Sequence, residues 1–257
     1  MSHTILTIPA LNDNYIWAIV HLKKQTAVVI DPGETKPILQ VLEQRNLKLT
    51  AILLTHHHWD HTNGISGLLK KQPVPVYGPV EDSIPLCNHP IKGDDRLTLS
   101  SVDLTFTILA IPGHTLGHIA YYGHQWAFTG DTLFSGGCGR IFEGSPDQLY
   151  HSLLKLAALP ADTQVYCGHE YTKKNLKFAK MVDPENYKLK KRISETEQKL
   201  NQNLPTLPST IQLELDTNPF LRCHKKSIQQ SLREYYGYPL TDTVAVFTAL
   251  RRWKDEF

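Results

Sequence analysis

Over its first two-thirds the chain repeats one pattern, a short run rich in β-branched residues, then a turn, then an amphipathic segment. YIWAIVH (15–21) and TAVVID (26–31) have the length and residue types of a strand pair, and ILQVLEQRN (38–46), opened by Pro37, has helical spacing. AILLT follows as a strand and GISGLLKK (64–71) as a short helix. VPVYG, LTFTILAIPG, IAYYG, WAFTG and QVYCG continue the series, with DQLYHSLLKLAAL (147–159) as a further helix. Strands covered by helices imply a layered α/β fold. After Gly168 the spacing turns helical in KKNLKFAKMV, PENYKLKKRISETEQKLNQ and TDTVAVFTALRRWKDEF, with the proline-rich NLPTLPST (203–210) between them. The expected organisation is a layered domain over residues 1–170 and a helical domain over 171–257.

A chain of 257 residues can bury a core without metal or disulfide staples, so a metal in it serves chemistry rather than folding. The net charge of +2 gives no ground for a nucleic-acid partner. The basic residues after position 170, including Lys188, Lys190, Lys191 and Arg192, read as a solvated helix face. No apolar run approaches the roughly 18 residues of a membrane span, and MSHTILTIPALNDNY lacks the pattern of a secretory leader. Cys87, Cys138, Cys167 and Cys223 are far apart and form no CxxC pair. These features predict a cytoplasmic protein without membrane or nucleic-acid partners; a monomer is expected, although no sequence feature sets the oligomeric state.

After AILL the chain reads THHHWDH (55–61), which gathers four of its 13 histidines around one aspartate. In extended backbone His56 and His58 point to one side and His57 to the other. Asp60 and His61 follow within reach of the same place. Three later apolar runs end on a donor: His114 after Gly113, Asp131 after Gly130, and His169 after Gly168. Glycine permits the sharp turn that aims such a residue over the strand ends. Imidazole with carboxylate suits zinc, iron or manganese better than calcium or magnesium. Seven donors exceed what one tetrahedral zinc uses, so two divalent ions are expected, zinc first. His118 reads either as a partner of these ligands or, at least as readily, as a core or surface histidine.

At these residues the chain resembles the metallo-β-lactamase superfamily, whose signature is a strand, HxHxDH, then a single His, an Asp and a final His. The resemblance implies an αββα sandwich. It also implies one metal on His56, His58 and His114, a second on Asp60, His61 and His169, and Asp131 bridging both. The likeness is greatest to the hydroxyacylglutathione hydrolase branch, in NDNY (12–15), THHHWDHTNG, PGHTLGH, GDTLFSGGCGR, FEG, CGHEYT, NPFLR and RRWKDEF. In that branch a helical C-terminal domain binds the glutathione part of a thioester. Carried over by position, the substrate contacts are Arg140, Phe142, Tyr171, Arg251 and Lys254. Arg140 replaces a frequent lysine, and Phe142 a tyrosine, so position 142 has no hydroxyl to donate. On spacing alone Arg251 and Lys254 share a helix face, and a solvated pair near a helix C-terminus is the simpler reading.

The activity implied by the resemblance is hydrolysis of S-(2-hydroxyacyl)glutathione, with hydroxide supplied by a water between two cations and no dedicated protein base. A persulfide dioxygenase fits less well, because all seven donors are present and RRWK favours the hydrolase. A β-lactamase of this superfamily usually carries a cysteine where Asp131 stands, and a nuclease needs a nucleic-acid surface. A non-catalytic glutathione-conjugate binder predicts lost ligands, and none is lost.

Overall fold

The computed structural model describes residues 2–257, which form two compact units. The first takes in the chain to Ala110 together with Thr115–Gly130; the second takes in Ile111–His114 and Asp131–Phe257.

In the first unit β1 (His3–Ala10), β2 (Asn14–His21), β3 (Thr26–Ile30), β4 (Lys48–Leu53), β5 (Val76–Pro79) and β6 (His89–Ile91) form one sheet in that order. The β2–β3 hairpin is the pair expected from sequence, and β1 extends it antiparallel in register from His3–His21 to Ala10–Asn14. From β3 onward the pairing is parallel. Parallel strands need covering helices. α1 (Lys36–Gln44) and α3 (Ile65–Lys71) supply them, and Ile38, Leu42, Ile65 and Leu68 share one buried cluster with Val29, Ile52 and Val76. Pro37 lies in the first turn of α1, where its missing N–H has no helical acceptor to lose. α2 (Trp59–Thr62) is a single turn inside the histidine segment.

The same unit carries an antiparallel meander, β7 (Arg96–Leu99), β8 (Leu104–Ala110), β9 (Ile119–Gly123) and β10 (Trp126–Gly130). Its inward face meets the first sheet: Tyr121 on β9 is fully buried and donates its hydroxyl to the Leu54 carbonyl at 2.8 Å. Burial pushes this phenol well above its ordinary pKa, so it stays protonated and remains a donor.

The second unit contains the hairpin β11 (Leu133–Phe134) and β12 (Gly137–Cys138), α4 (Pro146–Ala157), the antiparallel pair β13 (Gln164–Cys167) and β14 (Ser209–Thr210), and five further helices. These are α5 (Thr172–Val182), α6 (Tyr187–Asn201), α7 (Ile211–Thr217), α8 (Lys226–Tyr236) and α9 (Thr243–Glu256). Ser145 and Gln148 close a capping box on α4, and Asp242 caps α9. Helical spacing marks α4, α5, α6 and α9 but passes over α7 and α8. The first is only seven residues with a buried Glu214, and the second buries just Ile228 and Leu232.

The basic run on α6 departs from its expected solvated face. Lys190 and Lys191 are exposed, while Lys188 pairs with Asp216 at 2.7 Å. Arg192 is only 4% exposed and pairs with fully buried Glu214 at 2.5 Å. The 3.6-residue period explains this, since 192 shares the inner face with buried Leu189 and Thr196.

Candidate metal centre

In the first unit the chain leaves β4 through Thr55 and presents its histidines at the end of a buried strand. His56 is fully buried, with Nδ1 2.9 Å from the Thr55 hydroxyl and Nε2 3.1 Å from Nδ1 of His58. His61 is also buried; its Nδ1 meets Asp31 Oδ2 at 3.1 Å, and its Nε2 lies 3.5 Å from Asp60 Oδ2. Asn14 donates to that same Asp60 oxygen at 3.0 Å, which gives the NDNY segment a role. Donor atoms of Asp31, His56 and His61 all lie within 4.8 Å of one another.

Asp31 is a residue that motif spacing does not single out. Its carboxylate accepts from the Thr55 backbone N–H at 2.8 Å and the Thr55 hydroxyl at 2.7 Å as well as facing His61. A carboxylate at Nδ1 keeps the ring proton there and leaves the Nε2 lone pair for a cation. The sequence signal is the one that marks the other donors, an apolar run ending in a carboxylate, but no second donor adjoins it.

The His57 ring lies edge-on to that of His58, with centroids 5.0 Å apart. The His57 backbone N–H and ring Nδ1 both meet Asp82 Oδ2, at 3.0 and 2.9 Å. His118 is 1% exposed and stacks on the His56 ring with centroids 4.6 Å apart, so it packs against a predicted ligand.

In the second unit His114, Asp131 and His169 meet. Asp131 Oδ2 is 3.6 Å from His114 Nε2 and 3.3 Å from His169 Nε2. The Arg140 carbonyl accepts from His114 Nδ1 at 2.8 Å, which again frees Nε2. Gly113 at φ +144 has its turn filled by Leu149, whose Cα lies 2.5 Å from where a side chain would begin, and Gly130 has φ +47. Gly168 lacks a positive φ, so His169 is delivered by ordinary backbone. Each unit thus directs imidazole nitrogens at carboxylate oxygens in a largely buried setting. Neutral imidazole and ionised carboxylate are ligands for borderline divalent ions, so the residues fit a metal site.

The five predicted substrate contacts all fall in the second unit. Arg140 is exposed and lies 3.3 Å from Asp255 through Nε. Phe142 is 62% exposed, with its ring edge-on to His114 at 5.2 Å. Tyr171 stacks on His169 at 4.6 Å. Arg251 and Lys254 differ from a solvated pair, being 5% and 9% exposed. Arg251 Nη1 donates to the Cys138 carbonyl at 2.9 Å and Nη2 to Asp255 at 3.0 Å, while buried Nε has no acceptor among the described residues. Lys254 Nζ lies between the rings of Phe178 and Phe257, at 5.2 and 5.1 Å. Burial, then the charges of Arg251 and Lys174, lowers its pKa to about 8. Phe257 is three residues on, but Phe178 comes from a distant segment, so sequence spacing cannot see this burial.

The fold and these donors match known proteins. Residues 12–169 match the family described as Metallo-beta-lactamase superfamily, and residues 170–257 the one described as Hydroxyacylglutathione hydrolase C-terminus. A hydroxyacylglutathione hydrolase of Nitrosomonas eutropha is 52% identical over 98% of this chain and 98% of its own. The crystal structure of ETHE1 from Myxococcus xanthus superposes with a TM-score of 0.66, 26% identity, and coverage of 99% of this chain and 100% of the other. A di-iron-bound form of TTHA1623 does so at 0.61, with 27% identity and coverage of 85% and 100%. The chain belongs to the metallo-β-lactamase superfamily and, within it, to the hydroxyacylglutathione hydrolases. Its α/β fold is the sandwich of that superfamily, extended by a helical C-terminal region.

Proposed function

We propose that the protein hydrolyses S-(2-hydroxyacyl)glutathione, with S-D-lactoylglutathione the leading substrate, to glutathione and a 2-hydroxy acid, D-lactate. This is the second step of glutathione-dependent methylglyoxal detoxification. The observation that carries the reading is a complete set of His and Asp donors in a chain 52% identical, end to end, to a hydroxyacylglutathione hydrolase. Two divalent ions, zinc first, would be held by His56, His58 and His114 and by Asp60, His61 and His169, with Asp131 shared. Iron is the rival, since the structural relative TTHA1623 has a di-iron-bound form. When bound, such ions acidify water and polarise a carbonyl.

The chain's own groups prepare the site. Asp31 and the Arg140 carbonyl hold the protons of His61 and His114 on Nδ1, so both Nε2 atoms offer lone pairs. Asn14 fixes one Asp60 oxygen and thereby the direction of the other. The leaving thiolate of glutathione is stable enough to depart without a strong protein acid. The carboxylates of the tripeptide call for cations, and the unspent Nε of Arg251 with the ammonium of Lys254 supports that assignment. Tyr171 offers a hydroxyl, and Phe142 an apolar surface in place of one. A catalytic domain over 1–170 with a substrate-binding domain over 171–257 accords with the two family matches. A reducing, cytoplasmic setting accords with the absence of any disulfide among the described residues.

Dialysis against a chelator tests the reading. Hydrolysis of lactoylglutathione is expected to fall by about 10³-fold or more and to return with zinc, since metal catalysis contributes several kcal/mol. A metal-free protein that keeps its rate refutes the proposal. The same preparation should leave a β-lactam and a phosphodiester essentially intact.

A pH profile tests Lys254. In the unliganded protein its amine is protonated below about pH 8 and neutral above. A carboxylate is held by the protonated form, so KM is expected to be lowest below pH 8 and to rise above it, by at most about tenfold per pH unit. Lys254→Met should raise KM and flatten this rise. A wild-type KM that stays level from pH 7 to 9.5 removes Lys254 from substrate binding.

A further inference from the structure

The hairpin β11–β12 begins two residues after Asp131 and ends two residues before Arg140. Both of its stems therefore bear on predicted metal ligands. The leading stem carries Asp131 itself, and the trailing one carries the carbonyl that fixes the His114 tautomer. The stems are closed against each other: Gly139 N–H donates to the Thr132 carbonyl at 3.2 Å, and a Cβ on Gly139 would collide with the Asp131 carbonyl oxygen. A displacement at the tip is therefore passed to both ligands.

The tip is gripped by buried polar side chains of the helices. Glu214 on α7 is fully buried and accepts from Gly136 N–H at 2.8 Å, from Asn218 Nδ2 at 2.9 Å, from Arg192 Nη2 at 2.5 Å and from the Ser209 hydroxyl. Arg192 also donates to the Ser135 hydroxyl at 2.8 Å, Asn218 to the Gly137 carbonyl at 2.9 Å and Asn175 to the Ser135 carbonyl at 3.1 Å. Gly136 has φ +71, so the tip holds a turn that its own sequence does not stiffen. A buried ion pair is a weak stabiliser by itself and a good means of specifying one geometry.

We propose that Glu214, with Arg192, is a positioning residue for the metal centre: it clamps the Ser135–Gly137 tip and so sets Asp131 and His114 for metal binding. The helical C-terminal region is then needed for metal affinity as well as for holding substrate. The inference rests on the metal-site reading above, and its test reads metal retention and amide exchange rather than turnover.

In Glu214→Gln the neutral amide turns a donor toward groups that are themselves donors, and the hairpin loosens. The expected result is a zinc affinity lower by about tenfold or more, measured by competition with a chromogenic chelator. KM should change less than metal affinity. Asn175→Ala removes one contact to the tip and should lower zinc affinity a few-fold, which keeps the test open if the first variant does not fold. The coupling must also run in reverse. Loading metal-free wild-type protein with zinc should slow amide exchange in α7 and at Gly136, which Glu214 joins directly, more than in the more distant α8. Folded variants with wild-type zinc affinity, or equal slowing in α7 and α8, overturn the proposal. If the wild type binds zinc but hydrolyses no thioester, the proposed function fails while the coupling stands or falls on these same readings.

Discussion

Replacing Asp131 with asparagine is expected to lower kcat/KM for lactoylglutathione by at least about a hundredfold, with loss of bound metal. One oxygen of this carboxylate lies within 3.6 Å of His114 Nε2 and 3.3 Å of His169 Nε2, so a single negative atom serves both imidazoles. Asparagine keeps the shape but offers one neutral oxygen and an NH₂ group. With the oxygen turned inward the site loses its charge; with the NH₂ inward, a donor occupies the place of a cation. Metal content per chain and steady-state kinetics after saturation with zinc measure the two losses separately. A variant that retains two ions and at least half of wild-type kcat/KM would remove Asp131 from the centre.

The second large effect falls on stability. Asp31→Ala is expected to cost about 3 kcal/mol, because it leaves the Thr55 N–H, the Thr55 hydroxyl and the His61 Nδ1–H buried without their acceptor. Asp31 also has φ +50, a conformation that aspartate and asparagine tolerate better than alanine. Asp31→Asn should therefore cost about half as much, keeping one acceptor and the backbone preference. Denaturant unfolding of metal-free protein is the right measurement, since it separates folding from metal linkage. A loss below about 1 kcal/mol in Asp31→Ala would mean that water replaces the carboxylate in this pocket.

Much of the architecture can be read from the residues because each local signal agrees with the layer it builds. The β2–β3 hairpin, the Pro37 helix start and the helix over 147–159 follow from period and capping, and the Gly113 and Gly130 turns from the need to aim a donor. The candidate ligands are visible because they either cluster just after an apolar run, as in THHHWDH, or close one singly, as at His114, Asp131 and His169. What escapes is whatever depends on a partner far along the chain. Asp31, Asp82 and Glu214 stand alone in sequence and become meaningful only beside His61, His57 and Gly136. The same reason turns Arg192 from an expected surface cation into a buried one, and buries Arg251 where spacing alone favours a solvated face, since charge and spacing do not report the acceptors waiting for them.

The grip on the hairpin tip also bears on protein engineering. A chimera that joins the first 170 residues of one relative to the helices of another separates Glu214 and Asn218 from the Ser135–Gly137 peptide they hold. Moving the join to just before Asp131 keeps the tip and its holders from one parent, and leaves the contacts of His114 with Asp131 and the Arg140 carbonyl to be matched across the join. The better cut for recombination thus lies within the layered part of the chain, some 40 residues before the point where its periodicity turns helical.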